Sequence, residues 1–183
     1  ACGRGPDTVE KKSPDAAAPS VSVTAQGCVE GDCVNGKGTL VNANGNKYTG
    51  EFSGGKPHGT GTCVFAVSGD VYTGEWKHDR MHGKGKYVFG EGSQWAGDIY
   101  EGQWEEDKMH GNGTYSFGPK SKWHGDRYVG EYRLGKKSGN GSYFWADGSK
   151  YVGGWKDDCM HGRGVYYKTD GTAVRGRWNY DEY

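Results

Sequence analysis

A short motif recurs five times in register along this sequence, and this repetition restricts the fold more than any other feature. Its copies begin at Tyr48, Tyr72, Tyr100, Tyr128 and Tyr151, and Val174 opens a sixth, so the spacings are 24, 28, 28, 23 and 23 residues. A period of roughly 20 to 50 residues is typical of arrays in which each unit packs only on its neighbours. We therefore expect one elongated repeat domain.

Each copy contains two stretches in which side chains alternate. In the second copy Tyr72, Gly74 and Trp76 share one face, while Thr73 and Glu75 share the other. The run 83–89 alternates in the same way, and the polar stretch 77–82 separates the two runs. A period of two predicts β-strands, so each copy is predicted to be a β-hairpin.

The composition indicates how such hairpins would pack. The chain has 35 Gly, 13 Tyr and 7 Trp, but leucine occurs only at positions 40 and 134 and isoleucine only at 99. A broad aliphatic core is therefore excluded. Aromatic rings would instead lie over glycines on one face of the sheet. The predicted fold class is all-β: a single-layer twisted antiparallel sheet of consecutive β-hairpins, with about a dozen short strands and preceded by a disordered N-terminal tether.

The repeated phrase Tyr-x-Gly-Glu-Trp, then His-Gly-x-Gly-x-Tyr, then Asp-Gly resembles the MORN repeat over residues 31–178. Ser138, Gln103 and Gly154 depart from the pattern, and two copies are longer than it. The resemblance implies an elongated sheet of hairpins. It also implies a role seen in that family: a membrane-associated scaffold, a protein–protein contact, phospholipid binding, or an accessory region beside an enzyme domain.

Three segments are predicted. Residues 1–26 are rich in Ala, Ser, Pro, Asp and Lys and read as a disordered tether; residues 27–47 form a cap and half repeat; residues 48–183 hold five repeats and a partial sixth. The start Ala1-Cys2-Gly3 resembles a processed bacterial lipoprotein, which implies a lipid on Cys2 and a place in the cell envelope, on the periplasmic or surface side. The alternative is an idle Cys2 and a cytoplasmic protein.

Two further cysteines suggest a crosslink in the cap. Cys28 and Cys33 flank the turn-like stretch Val-Glu-Gly-Asp, so a short disulfide is geometrically plausible there. The alternative is a pair of reduced thiols in a cytosolic protein. A spacing of this kind without a second Cys or His pair nearby is a poor zinc site.

The regular spacing argues against catalysis and metal binding. The histidines at 58, 82, 110 and 161 recur at one turn position, but equivalent residues of successive hairpins lie ~10 Å apart, too far to share one ion. Glu51, Glu75 and Glu131 are also too far from one another to act as a catalytic pair. The Gly-x-Gly pairs lack the following helix that a phosphate-binding loop needs. We expect no enzyme, metal or cofactor.

The balance of basic and acidic residues makes some classes of binding partner less favourable. With 23 basic and 23 acidic residues the formal net charge is zero, whereas nucleic-acid binders usually carry a basic surplus. The sequence also has no run of 18 apolar residues that would predict a transmembrane helix.

Two surfaces are candidate binding sites. The connections 89–98 and 117–126 both keep Phe-Gly, then Ser-x-Trp-x-Gly-Asp, and would project side by side with Trp95, Trp123, Lys120 and Lys122. Alternatively, each Trp folds back over its own hairpin. The second candidate is an aromatic groove, although its residues would first of all replace a core. They are Tyr48, Phe52, Tyr72, Trp76, Tyr87, Tyr100, Trp104, Tyr115, Tyr128, Tyr132, Tyr143, Tyr151 and Trp155.

The predicted function is a non-enzymatic scaffold or protein–protein interaction module, tethered to a membrane by its N-terminal lipid. The partner would be a protein or a larger membrane-associated complex, and self-association through the sheet edge is an alternative. Two other functions remain open: a phospholipid-headgroup binding module at a membrane surface, and an accessory subunit of an enzyme or larger complex.

Overall fold

The protein, represented by a computed structural model that describes residues 27–182, is one open antiparallel sheet of 13 strands. The strands follow one another across the sheet in chain order, which confirms the predicted single-layer array of hairpins. The predicted tether, Cys2 and Tyr183 lie outside the described residues. The strands are β1 (Cys28–Gly31), β2 (Lys37–Val41), β3 (Lys47–Ser53), β4 (Lys56–Val64), β5 (Val71–Lys77), β6 (Arg80–Val88), β7 (Ile99–Glu105), β8 (Lys108–Ser116), β9 (Arg127–Arg133), β10 (Lys136–Phe144), β11 (Lys150–Lys156), β12 (Cys159–Tyr167) and β13 (Ala173–Asn179).

The sheet has two long edges of different character. Within each copy a two-residue turn joins the two strands, as at His78 and Asp79, whose φ angles are 50° and 73°. Both central residues have positive φ, the geometry that matches the twist of a hairpin. We call the edge formed by these turns the tip edge. The connections between copies, such as 89–98 and 117–126, lie along the opposite edge, the loop edge.

The two faces of the sheet differ as strongly as its edges. One face, the ring face, carries the tyrosines and tryptophans of the core, and its glycines are covered by rings. The Tyr72 hydroxyl donates to the Glu75 carbonyl at 2.9 Å, which holds the phenol flat across the strand pair. A Cβ on Gly85 would lie 2.2 Å from the Tyr72 hydroxyl, so no larger residue fits beneath the ring. The other face, the outer face, carries polar side chains such as Thr73.

Each copy is closed by the copy that follows it. The Trp104 ring packs edge-on against Tyr72 of the preceding copy, with ring centroids 5.4 Å apart. Its indole N–H donates to the Gly85 carbonyl at 3.2 Å. Trp76 and Trp155 make the same bond to Gly61 and Gly141. A ring contact and a hydrogen bond therefore join neighbouring hairpins at regular intervals.

Two copies lack this hydrogen bond, because Phe52 and Tyr132 stand at the position of the Trp. The Tyr132 ring still packs edge-on against Tyr100 at 5.2 Å. Its hydroxyl is buried without a hydrogen-bond partner among residues 27–182. The substitution keeps the ring contact and loses the polar one.

A disulfide stabilises the start of the sheet. Cys28 and Cys33 are bonded, with Cα atoms 5.9 Å apart, across the turn that joins β1 and β2. The loop that follows contacts the first hairpin, because the Asn35 side chain accepts the Gly54 N–H at 2.9 Å. The segment therefore covers the end of the repeat array.

Candidate partner-binding surfaces

The aromatic residues predicted as a groove form the core. Each of the thirteen is buried, and the most exposed, Trp155, retains 7% of its surface. Burial also raises the pKa of the phenols, to about 12 for Tyr151 and further for the others. They stay protonated at neutral pH. The ring face is consequently filled by its own side chains, and the exposed surfaces of the sheet are its two edges and its outer face.

The two long loops form a single unit on the loop edge. The rings of Trp95 and Trp123 are nearly parallel, 12° apart, with centroids separated by 6.3 Å. Trp123 is buried and packs against Phe117 at 5.6 Å, whereas Trp95 is half-buried. Both loops lie side by side, but the indoles face each other and the hairpin below them. Only the outer border of this stack faces solvent, and we call this border, with the charged side chains around it, the rim.

Charged side chains surround this rim. Lys120 of the second loop forms an ion pair with Glu91 of the first. The Lys122 ammonium lies 4.3 Å from the Trp123 ring centroid, within the range of a cation–π contact. Both lysines are exposed. The paired loops therefore present a rigid polar rim around a tryptophan stack, a surface chemistry that suits protein contacts.

A buried aspartate fixes the root of each long loop, a role that the sequence reading missed. Asp98 is fully buried; it accepts the Tyr115 hydroxyl at 2.7 Å and the Gly118 N–H at 2.8 Å. Burial raises the pKa of Asp98, and the two hydrogen bonds oppose that rise. The same arrangement recurs at Asp70 and at Asp126.

The first copy lacks both members of this hydrogen bond. Cys63 replaces the tyrosine there, and Asn46 replaces the aspartate. The Asn46 side chain still accepts a backbone N–H, from Ala66 at 3.0 Å. No tyrosine hydroxyl is present at position 63 to donate a second hydrogen bond to it. The copy that begins at Tyr151 keeps the tyrosine, Tyr166, but Ser149 precedes it in place of the aspartate. Comparison of the copies within the chain therefore does not by itself identify the hydrogen bond.

The turn aspartates link neighbouring tips. Asp107 accepts the Met81 N–H at 2.8 Å, and Asp158 and Asp181 accept equivalent donors of the preceding copies. At Asp79 the equivalent position is Pro57, which has no N–H. One oxygen of Asp79 is therefore buried without a partner among residues 27–182. Desolvation, reinforced by the nearby Asp107 charge, raises the pKa of Asp79 to about 7.

This orphaned carboxylate should make the fold less stable as pH rises. The pKa of folded Asp79, about 7, exceeds the value near 4 expected in the unfolded chain. The unfolded state therefore loses its proton first, and the free energy of unfolding falls between about pH 4 and pH 7. We expect Asp79→Asn to be more stable than wild type at pH 8, by about 1 kcal/mol, and this advantage to shrink towards pH 5. Urea denaturation at both pH values measures it.

A second variant tests the cause. Pro57→Met supplies the N–H donor that the other copies possess, and it should reduce the same pH dependence while keeping the aspartate. If the stability difference between Asp79→Asn and wild type is equal at pH 5 and pH 8, Asp79 does not titrate as proposed.

The histidines and glutamates considered above for catalysis and metal binding are spread along the sheet, and the glutamates bind the backbone. No three His, Cys, Asp or Glu side chains within residues 27–182 are placed to hold one metal ion. Glu75 accepts the Lys84 backbone N–H at 2.8 Å, next to a strand bulge. Glu51, Gln103 and Glu131 make the equivalent bond, so the change to Gln103 preserves it. These carboxylates hold the backbone of their own hairpins.

The outer face is shallow and polar in its first half. A groove of about 640 Å³ crosses it, lined by side chains that include Thr73, Lys84, Lys86, Glu101 and Gln103. Two cations, Lys84 and Lys86, and one carboxylate, Glu101, lie among its uncharged polar residues. In the described part of the chain, no helix is long and apolar enough to cross a bilayer.

Comparison with known proteins identifies the repeat. A family model described as "MORN repeat" matches residues 48–69, 72–94, 100–122, 128–150 and 151–173. Among solved structures, similarity extends to the TCP domain of Drosophila melanogaster SAS-4 (dCPAP) in complex with a proline-rich motif of Ana2 (dSTIL), with 13% identity, 77% of each chain covered and a TM-score of 0.44. Virginiamycin B lyase from Staphylococcus aureus matches with 8% identity, a TM-score of 0.18, and 83% of this chain and 72% of that chain covered. No curated protein matches in sequence.

Proposed function

This chain belongs to the MORN-repeat family, and from that premise we propose that it is a non-enzymatic scaffold that binds another protein and is held at a membrane by a lipid on Cys2. The family supports a repeat-based interaction module, and the finer assignments are ours. The sheet suits this role because its hairpins form a rigid, regular support.

The paired loops carry the proposal. Loops that project from a rigid scaffold are common binding sites, and these two are the only connections in residues 27–182 that were lengthened in the same way. Asp70 and Asp98 accept the N–H groups of Gly90 and Gly118 at the starts of the two loops, so the loops that carry the Trp95–Trp123 stack have fixed roots. A fixed rim binds at a lower entropic cost than a mobile one.

Co-purification from native cells tests the loops. Lys120→Glu combined with Lys122→Glu reverses the charge of the rim and retains both indoles, at the cost of the Lys122 contact with the Trp123 ring. We expect the bound protein to fall at least tenfold in this variant, the effect of about 1.4 kcal/mol. The matched control, Lys84→Glu with Lys86→Glu, changes two exposed lysines of the outer face and should retain the partner. Equal recovery with both variants would remove the loops from the proposal.

The membrane tether has its own test. The motivating observation is that Cys2 lies between the small residues Ala1 and Gly3 and is followed by a polar segment. The intact mass of native protein should include a diacylglycerol on Cys2, and Cys2→Ser should release the protein from the membrane fraction. An unmodified Cys2 would end this part of the proposal. If protein lacking residues 1–26 floats with anionic liposomes, the headgroup-binding function replaces the lipid tether.

A further inference from the structure

The last three strands carry a one-sided charge. β11, β12 and β13 contain Lys150, Lys156, Arg163, Arg175 and Arg177 and have no Asp or Glu. The chain as a whole has equal numbers of basic and acidic residues. The acidic residues of this region lie in the turns, at Asp157, Asp158 and Asp170, and after β13, at Asp181 and Glu182. The basic surplus is therefore confined to the strands themselves, where it suits an anionic partner.

Two of these cations face each other. Arg163 and Arg177 are directly opposite on β12 and β13, and both are exposed on the outer face. Within residues 27–182 no carboxylate lies within ion-pair distance of either guanidinium. Like charges at directly opposed positions destabilise a strand pair. Charges on an edge strand such as β13 discourage edge-to-edge pairing, which accounts for Arg177 but not for its opposite neighbour Arg163.

An apolar strip lies beside the arginines. Val152 and Val165 are opposite each other on β11 and β12, and Val152 retains 41% of its surface. Beyond them the Lys150 ammonium lies 4.6 Å from the Tyr167 ring centroid. Cations thus stand on both sides of an exposed apolar strip. We call Lys150, Val152, Arg163, Val165 and Arg177 the basic outer patch.

We propose that the basic outer patch binds an acidic segment of a partner protein, one whose carboxylates flank apolar side chains. The proposal rests on the scaffold function and adds a second binding surface, separate from the loop edge, together with the chemistry of its ligand. Carboxylates of the partner would pair with Arg163 and Arg177 in the bidentate geometry that guanidinium favours. Its apolar side chains would cover Val152 and Val165.

Charge complementarity favours a separate protein over the chain's own N-terminal segment. Residues 1–26 contain three basic residues, at 4, 11 and 12, and three acidic residues, at 7, 10 and 15, so this segment has no acidic surplus. A duplex nucleic acid would need a longer row of cations to neutralise its closely spaced phosphates. The apolar strip would also have no counterpart on a phosphate backbone.

A synthetic peptide tests the chemistry of the ligand. The probe is a twelve-residue peptide in which glutamates alternate with valine and phenylalanine, and the control peptide has every glutamate replaced by glutamine. We expect the acidic peptide to bind the full chain in fluorescence anisotropy at low salt, and to bind more weakly as salt screens the arginines. The glutamine peptide should bind at least tenfold more weakly. Equal binding of both peptides would overturn the proposal.

Matched variants locate the site. Arg163→Thr with Arg177→Thr removes two cations and introduces a residue that already occupies the outer face at Thr60 and Thr62. This pair should weaken acidic-peptide binding at least tenfold and raise the thermal midpoint, because the like-charge contact is gone. Lys84→Thr with Lys86→Thr removes two cations elsewhere on the outer face and should leave binding unchanged. Equal loss with both pairs, or loss with a lowered midpoint, contradicts the assignment.

Two further experiments distinguish binding at the basic outer patch from binding at the loop edge and from binding to lipid. The loop variant Lys120→Glu with Lys122→Glu should still bind the acidic peptide, so failure of the loop site and failure of the basic outer patch are distinguishable. Phosphatidylglycerol vesicles are the second probe, with phosphatidylcholine vesicles as control. If the anionic vesicles bind through Arg163 and Arg177 and the peptide does not, the patch is a lipid surface and the protein-segment proposal is overturned.

Discussion

Gly85→Val is expected to lower the free energy of unfolding by more than about 4 kcal/mol, the largest effect we predict for a single substitution. Even the first carbon of the new side chain would lie 2.2 Å from the Tyr72 hydroxyl and 2.4 Å from a ring carbon. The phenol cannot move aside, because it is packed against Trp76 and Trp104. Urea denaturation followed by tryptophan fluorescence measures the loss.

The neighbouring residue provides the control. Lys86→Val introduces the same side chain one position further along β6, on the exposed outer face. Valine suits a strand, so this variant should remain within about 0.5 kcal/mol of wild type. If both variants lose similar stability, valine disturbs the strand itself. If Gly85→Val retains wild-type stability, the ring does not require a bare backbone beneath it.

Asp98→Ala is expected to cost about 3 kcal/mol, the second-largest effect. The substitution leaves the Tyr115 hydroxyl and the Gly118 N–H without their acceptor in a buried setting. It also releases the root of the loop that holds Trp95, so the Trp95–Trp123 stack should loosen. Urea denaturation gives the free energy, and quenching of tryptophan fluorescence by acrylamide reports the exposure of the stack.

Tyr115→Phe is the matched variant for the second prediction. It removes one hydrogen bond, keeps the ring, and leaves Asp98 bonded to Gly118, so its cost should be about 1 kcal/mol. A loss below about 1 kcal/mol for Asp98→Ala itself would mean that water replaces the protein donors and that the aspartate does not fix the loop.

The fold was predictable because its determinants are local and repeated. The alternation around Tyr72, Gly74 and Trp76 is the pattern of a strand with one packed face, and five copies in register leave few other arrangements. The recurrence of glycine beside tyrosine and tryptophan on one face also indicates that each ring packs over a residue without a side chain. Hairpin topology then follows, since consecutive strands joined by short turns pair with their neighbours.

The candidate surfaces were less predictable because exposure depends on neighbours in space. The sequence placed Trp95 and Trp123 in projecting loops, but it could not show that the two indoles would stack on each other, with Trp123 edge-on against Phe117. It also assigned Asp98 to the loop, whereas that side chain points inward to Tyr115. The cross-strand pair Arg163–Arg177 required the register of β12 and β13, which no motif encodes.

The indole that closes each preceding copy has a consequence for how such proteins change length. Because Trp76, Trp104 and Trp155 make the same bond to the copy before them, these three junctions are interchangeable. Inserting a whole hairpin at one of them would preserve the bond and shift the remaining loops by two strand spacings, ~10 Å. The number of hairpins between two docking points therefore sets the distance between them.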